Sequence, residues 1–334
     1  MARSTSVHGD QSRLAYLLLA PSLVLLVLVV GIPLGVSVWQ SLHTTSGGVD
    51  PETGFIQQGT QFVGLDNYLA IFSDPASSDA FWNAFSNTTL FTVVGVTLET
   101  VIGVVMALIM AQALRGQGLL RASILVPWAI PTIVSALVWR VIFLADGIFN
   151  EIIGTKILWA TEGWQAQAAV IIADVWKTAP YIGLLTLAGL LTIDNQVYEA
   201  AKVDGSSRWS TFWRITLPLV RPVLVVAVLF RLLDAMRMFD LPYALLGRLE
   251  SGQTLATLAQ FEASQTNYGP AATYSLVLMA YIGLVAFLFV RFLGADVIGD
   301  DDRLSRKEKR AAAQAAKAKA AEQATGTVVE AGQR

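Results

Sequence analysis

Residues 14–42 form an apolar run of 29 positions without a single charged side chain. As a helix, at about 1.5 Å per residue, such a run crosses roughly 30 Å of hydrocarbon with length to spare for tilt. It is far longer than the apolar core of a cleaved secretory signal, so it reads as a retained first membrane helix. The whole chain supports a lipid solvent: of 334 residues 54% are hydrophobic and only 14% charged, against about a quarter charged in soluble domains. A net charge of −2 gives no footprint for nucleic acid, so no nucleic-acid partner is expected. The absence of cysteine excludes disulfides, thiolate metal sites and cysteine nucleophiles. His8 and His43 lie outside the longer apolar segments, which argues against a histidine metal centre or proton relay. No cofactor is expected.

Five more segments pass the length test: residues 84–114, interrupted by Glu99; 122–145, by Arg140; 166–193, by Asp174 and Lys177; 217–238; and the uncharged 263–290. The fifth is the least clean, carrying Arg221, Arg231, Asp234 and Arg237. The expectation is an all-α polytopic protein with six transmembrane helices. Lysine and arginine are distributed unevenly between alternate loops, 17 on the side of both termini against 3 on the other. Positive loops stay on the cytoplasmic side, which places both termini and residues 197–218 in the cytoplasm of a cell whose plasma membrane holds the chain. The expected layout is a cytoplasmic tail (1–13), a first helix (14–42), an extracytoplasmic loop (43–83), a transmembrane domain (84–292) and a cytoplasmic tail (293–334). The outer loop, rich in Gly, Ser and Thr with Phe55, Phe62, Tyr68 and Phe72, is expected to pack as a small lid. The tail from Asp300 alternates Ala with Lys or Arg and reads as a solvated extension held near anionic lipid headgroups.

Within the cytoplasmic segment the order is Glu199-Ala-Ala-Lys-Val-Asp-Gly205, nine residues, then Ile215-Thr-Leu-Pro218. Helix formers run into Gly205, which accepts a positive φ and ends a helix. Ser206 or Ser207 then caps a second helix over residues 208–215, and Pro218 opens the next span. A helix-turn-helix on the cytoplasmic face follows, with small alanines that allow a partner to approach.

The pattern E-A-A-x3-G-x9-I-x-L-P resembles the signature of permeases from binding-protein-dependent ABC importers, with each fixed position present. Seven positions matched at roughly one in fifteen each make a chance hit on the order of one in 10⁸. The resemblance extends over residues 62–290 through Phe62-Val-Gly-Leu-Asp-Asn-Tyr68, Leu125-Val-Pro-Trp-Ala-Ile-Pro131, Trp176-Lys-Thr-Ala-Pro180 and Phe230-Arg-Leu-Leu-Asp-Ala-Met-Arg-Met-Phe-Asp240. These blocks are similar to the carbohydrate branch, the MalF-like subunits of maltose and trehalose importers. In place of the family's Gly-Gly-Pro turn after helix 5, this chain has Leu246-Gly-Arg-Leu-Glu-Ser251.

The resemblance implies the type I ABC importer permease fold and a complex with a second homologous permease, two ATPase subunits and an extracytoplasmic sugar-binding protein or lipoprotein. It implies that Glu199, Ala200, Ala201, Asp204 and Gly205 couple the chain to the ATPase. It further singles out Trp128, Thr132, Asp174, Lys177, Thr178, Leu233, Asp234 and Arg237 along the substrate path. Trehalose, maltose-like oligosaccharides and glycerol phosphate diesters are all handled by relatives.

The residues themselves leave two readings of the charges inside the spans. Ionisable groups near mid-membrane cost roughly 2.5–3.5 kcal/mol each, so a cavity or a partner is implied. Arg231, Asp234 and Arg237 at i, i+3 and i+6, with Asp174 and Lys177 three apart, serve either as ion pairs fastening helices or as a polar patch for sugar hydroxyls. Glu99 is open between a path residue and a partner for a basic group. Trp128 and Thr132, one turn apart between Pro127 and Pro131, offer an aromatic face and a hydroxyl, although a packed tryptophan explains Trp128 equally. The chain lacks G-x-x-x-x-G-K-[ST] and is not expected to bind ATP by that loop or to be an enzyme. A secondary carrier would usually show an inverted repeat, which is not evident here. A membrane glycosyltransferase needs a carboxylate cluster, and Asp300–Asp302 reads instead as a solvated turn.

Overall fold

The computed structural model describes residues 7–49, 56–112 and 115–294; the Ala- and Lys-rich tail lies outside them. Helix α1 (Val7–Leu26) passes through a π turn, Val27–Gly31, into α2 (Ile32–Ser41). A hairpin follows, β1 (His43–Val49) antiparallel to β2 (Ile56–Phe62), with His43 opposite Phe62 and Val49 opposite Ile56. Then come α3 (Asp66–Ser73), α4 (Pro75–Ala111), α5 (Gln117–Ala129), α6 (Thr132–Ile142), α7 (Ile148–Ile153) and α8 (Trp164–Leu190). The remainder is α9 (Asn195–Val203), α10 (Arg208–Thr211), α11 (Leu217–Ala235), α12 (Asp240–Leu246), α13 (Leu255–Ser264) and α14 (Tyr268–Phe289).

Five helices are long and apolar enough to cross a membrane, and a sixth span is formed if the bent pair α5–α6 counts as one. The expected six spans are therefore all represented, with one change of shape. Residues 122–145 do not make a continuous helix: α5 and α6 meet at 92°. Pro131 has no N–H to continue the ladder and disfavours helical backbone at Ile130, so the helix stops there. The outer loop also departs from all-α, since its uncharged Gly- and Thr-rich flanks pair as the hairpin.

Two of the three described π turns precede a proline. Proline's ring presses on the carbonyl four residues earlier. For Pro33 that residue is Val29, inside Val27–Gly31; for Pro218 it is Arg214, inside the π turn Phe212–Thr216. Widening the helix there lets it continue through a proline. Residues 208–235 consequently run as one helix of 28 residues, and Pro218 lies within it rather than at the start of the span.

The chain divides into two compact units, with boundaries inside α4, α5, α8, α11 and α14. The first comprises residues 1–99, 126–178 and 234–282. One of its two cores gathers Phe91, Trp139, Phe143, Trp159, Val170 and Leu241. Asn150 locks this core's loop: its Nδ2 donates to the carbonyls of Ala145 (3.0 Å) and Ile157 (2.9 Å), and its Oδ1 accepts from Trp159 Nε1 at 2.9 Å. The other core packs Ile71, Phe81, Leu255, Leu258 and Tyr274. The Phe62–Tyr68 block ties in the end of α2: Asn67 Nδ2 donates to the Ser41 and His43 carbonyls, and Tyr68 OH donates to Ser41 Oγ at 2.8 Å.

The second unit comprises residues 100–125, 179–233 and 283–334, its core built on Ala107, Met110, Leu187, Leu190 and Val220. Here α4 and α8 approach closely through glycine. A Cβ placed on Gly103 would lie 2.9 Å from the Ala179 carbonyl oxygen and 2.9 Å from Ile182 Cβ. Small residues let membrane helices reach this separation, where dispersion contacts supply the attraction that water expulsion cannot.

Candidate functional site

The loop after α8 begins with a cap. Asp194 accepts the Gln196 N–H at 2.9 Å, relieving one of the free donors at the start of α9. Helix α9 places Glu199 and Ala200 in the open and buries Ala201. It ends in a Schellman motif: Gly205 N–H donates to the Lys202 carbonyl (3.2 Å) and Ser206 N–H to the Ala201 carbonyl (2.9 Å). Gly205 has φ +73°, the left-handed backbone that glycine adopts without strain. Asp204 and Gly205 are exposed, and a Cβ at Gly205 would meet nothing within 4 Å, so conformation rather than crowding selects glycine. Ser207 caps the second helix, accepting the Ser210 N–H at 3.2 Å. This second helix is the head of the 28-residue span, not the separate element expected over 208–215. The turn after α9 thus leads directly into the helix that becomes α11.

The expected substrate-path residues fall into distinct settings in the first unit, save Leu233, which is half-buried near the end of α11. Trp128 and Thr132 are not one turn apart on a helix: Trp128 is in the last turn of α5, 47% exposed, and Thr132 opens α6 beyond the bend. Asp174, Lys177 and Thr178 are buried on α8. Lys177 Nζ donates to the Ile130 carbonyl at 2.6 Å. That carbonyl sits at the C-terminal end of α5, where Pro131 has ended the helix, and a cation there also opposes the helix dipole. Thr178 Oγ1 donates to the Asp174 carbonyl at 2.7 Å. A Cβ at Gly95 would lie in ordinary contact, 3.7 Å, with both Asp174 Oδ2 and Glu99 Oε1, and Glu99 is fully buried.

Of the Arg231–Asp234–Arg237 face, Arg231 and Asp234 stay on α11 and Arg237 leaves it. Arg231 is 3% exposed in the second unit. α11 ends at Ala235, and Arg237 lies in the following turn, its N–H donating to the Asp234 carbonyl at 3.1 Å. Asp234 and Arg237 form an exposed pair at 3.9 Å.

One organising group escaped the sequence reading. The loop that replaces the family's Gly-Gly-Pro turn is held by Glu162, whose carboxylate accepts the Glu250 N–H (2.8 Å), the Ser251 N–H (2.9 Å) and the Ser251 hydroxyl (2.6 Å). Asn83 and Asn87 each donate to the Glu250 carbonyl at 2.8 Å from the other side. Slight burial pushes the Glu162 carboxyl up, but the bonds from Ser251 and Glu250 outweigh it and hold its pKa below the ordinary glutamate value. The available signal was a carboxylate at the mouth of a span, which by itself names no partner.

The chain is thus a set of membrane-length helices with a capped, exposed E-A-A helix one turn before a span. Residues 99–299 match the family of binding-protein-dependent transport system inner membrane components, and the chain belongs to that family. It is 37% identical over 287 residues to the trehalose/maltose transport system permease protein MalF of Thermococcus litoralis, covering 84% of this chain and 92% of that protein. It is 33% identical over 299 residues to the trehalose transport system permease protein SugA of Mycobacterium tuberculosis, covering 89% and 94%. The fold matches a bacterial ABC transporter that imports alginate, with a TM-score of 0.67 at 18% identity over 86% of this chain and 96% of that one. The chain is a multi-pass membrane permease subunit.

Proposed function

We propose that this chain forms one half of the translocation path of an ATP-driven importer for a trehalose- or maltose-like di- or oligosaccharide. The observation that carries the reading is the 37% identity over most of both chains to a trehalose/maltose permease. The partners are a second homologous permease, two ATPase subunits and an extracytoplasmic sugar-binding protein. The positive-inside count supports cytoplasmic termini in a bacterial plasma membrane.

Residues 197–218 are the coupling loop. Glu199, Ala200, Asp204 and Gly205 present the surface an ATPase groove grips, while Ala201 packs inward. Closure of the ATPase pair on ATP draws α9 with it, and the helix that starts at Arg208 passes the displacement into the membrane. The path then opens outward, takes sugar from the binding protein, and reopens inward after hydrolysis.

Trp128 supplies an aromatic face for the apolar side of a sugar ring, and the Asp234–Arg237 pair supplies acceptors and donors for hydroxyls. Asp174 and Thr178 lie on the same α8 segment as Lys177, which positions the α5–α6 bend, and Thr132 opens α6 beyond it.

The test is uptake into vesicles carrying the permease pair with and without the ATPase and the binding protein. Labelled trehalose or maltose should accumulate only with all components and ATP. Accumulation driven by an ion gradient without ATPase would make the chain a secondary carrier and overturn the reading.

A further inference from the structure

The second unit holds a groove of about 1100 Å³ between α4 and the inner side of the coupling loop, apart from the Glu199, Ala200, Asp204 and Gly205 surface offered to the ATPase. Its wall is apolar: Val101, Val104, Val105 and Leu108 of α4 face Leu224 of α11. It runs along α4 from Thr100 to Leu108 and reaches Gln112 just past the helix end, about 18 Å at 1.5 Å per residue. That is close to the half-thickness, about 15 Å, of one leaflet's hydrocarbon. At the end near α9 and α10, Lys202 and Arg208 line the groove, and no carboxylate does among the described residues. Trp209 and Trp213 also line it and are exposed, with rings 5.6 Å apart in an edge-to-face arrangement. Tryptophan at this boundary prefers the headgroup level, with its ring in the apolar layer and its N–H towards water.

We propose that this groove is a binding site for an anionic phospholipid of the cytoplasmic leaflet. The phosphate and headgroup sit between Lys202 and Arg208, and an acyl chain runs along the valine face of α4. The charge pattern argues for the headgroup: cations near an anionic leaflet favour acidic lipid by about fivefold each. The matched depth argues for an acyl chain. Lys202 lies inside the E-A-A-x3-G sequence, so a lipid here braces the coupling loop against the membrane. The inference rests on the cytoplasmic placement of that loop proposed above.

The assembled importer is reconstituted into phosphatidylcholine nanodiscs containing increasing fractions of dibrominated phosphatidylglycerol or dibrominated phosphatidylcholine, since bromine quenches nearby tryptophan. The groove signal is the fluorescence difference between the natural chain and its W209F/W213F variant. Half-quenching is expected at an about fivefold or lower fraction of the glycerol lipid than of the choline lipid. K202Q/R208Q should remove that preference while quenching itself persists. Equal midpoints, or a preference unchanged in the double variant, would overturn the proposal. So would the absence of quenching by either lipid, the result expected if a protein subunit covers the groove. Sidedness is read separately: the chain has no cysteine, so V203C with an impermeant maleimide reports which face carries the loop. Labelling from outside only would sink the orientation, whatever the lipid result.

Discussion

The Glu162 carboxylate receives the backbone N–H of Glu250 at 2.8 Å, across 88 positions of sequence, and binds Ser251 twice more. The loop is anchored on the core by Leu246 and Leu249, and its far end is held by charge-assisted bonds to one side chain. Replacing Glu162 by Ala removes acceptors worth about 1.5–3 kcal/mol for a charged hydrogen bond. Amide exchange at Glu250 and Ser251 should rise about tenfold or more. Exchange at the natural rate would show that Asn83 and Asn87 suffice.

The same bonds fix a pH dependence. Because the Glu162 pKa is lowered in the folded chain, its contribution is fully present above the unfolded glutamate value of about 4.3. It fades as pH falls through the lower folded value. Protection of the Ser251 amide should therefore hold at pH 5 and above and weaken towards pH 3, with E162Q flat over that range.

Lys177 bonds the Ile130 carbonyl at 2.6 Å and so closes the end of α5 at the bend. K177M leaves that acceptor unmatched at a cost of about 1–3 kcal/mol, and melting in detergent should drop by several degrees together with uptake. K177R should recover part of both. A lowered apparent sugar affinity with unchanged melting would instead make Lys177 a direct sugar contact.

Gly103 meets α8 where no side chain fits. G103V should destabilise by about 1–3 kcal/mol through overpacking. Gly283, whose Cβ would meet nothing within 4 Å, provides the control: G283A should be neutral or slightly stabilising, as expected for alanine in a helix. Similar melting shifts in both variants would remove the close-approach argument.

In the coupling loop, G205V forces a branched side chain into φ +73°, at about 1–3 kcal/mol of strain. It should unwind the Schellman end of α9. E199K reverses the charge on the exposed face. Both variants should reach the membrane at normal levels and lose uptake; natural transport by either would remove the loop from the coupling path.

What the sequence determined by itself is what depends on one-dimensional patterns. Span length, charge asymmetry and the E-A-A spacing are local quantities, and they led to the number of spans, the expected orientation and the family. Gly205 belongs to this class, since the turn it makes is set by its neighbours within a few residues. Tertiary structure decided the rest. Residues 122–145 read as one span, because a proline between apolar runs is compatible with a kink or a 92° turn; in the fold the turn is the one found, with Lys177 bonded at its corner. Arg237 shared a face with Arg231 and Asp234 only while the helix was taken to continue; it ends at Ala235, and Arg231 is buried whereas Asp234 and Arg237 are exposed. Glu162 had no readable role because two of its three donors are backbone N–H groups, 88 and 89 positions away, and the third is one serine hydroxyl among many.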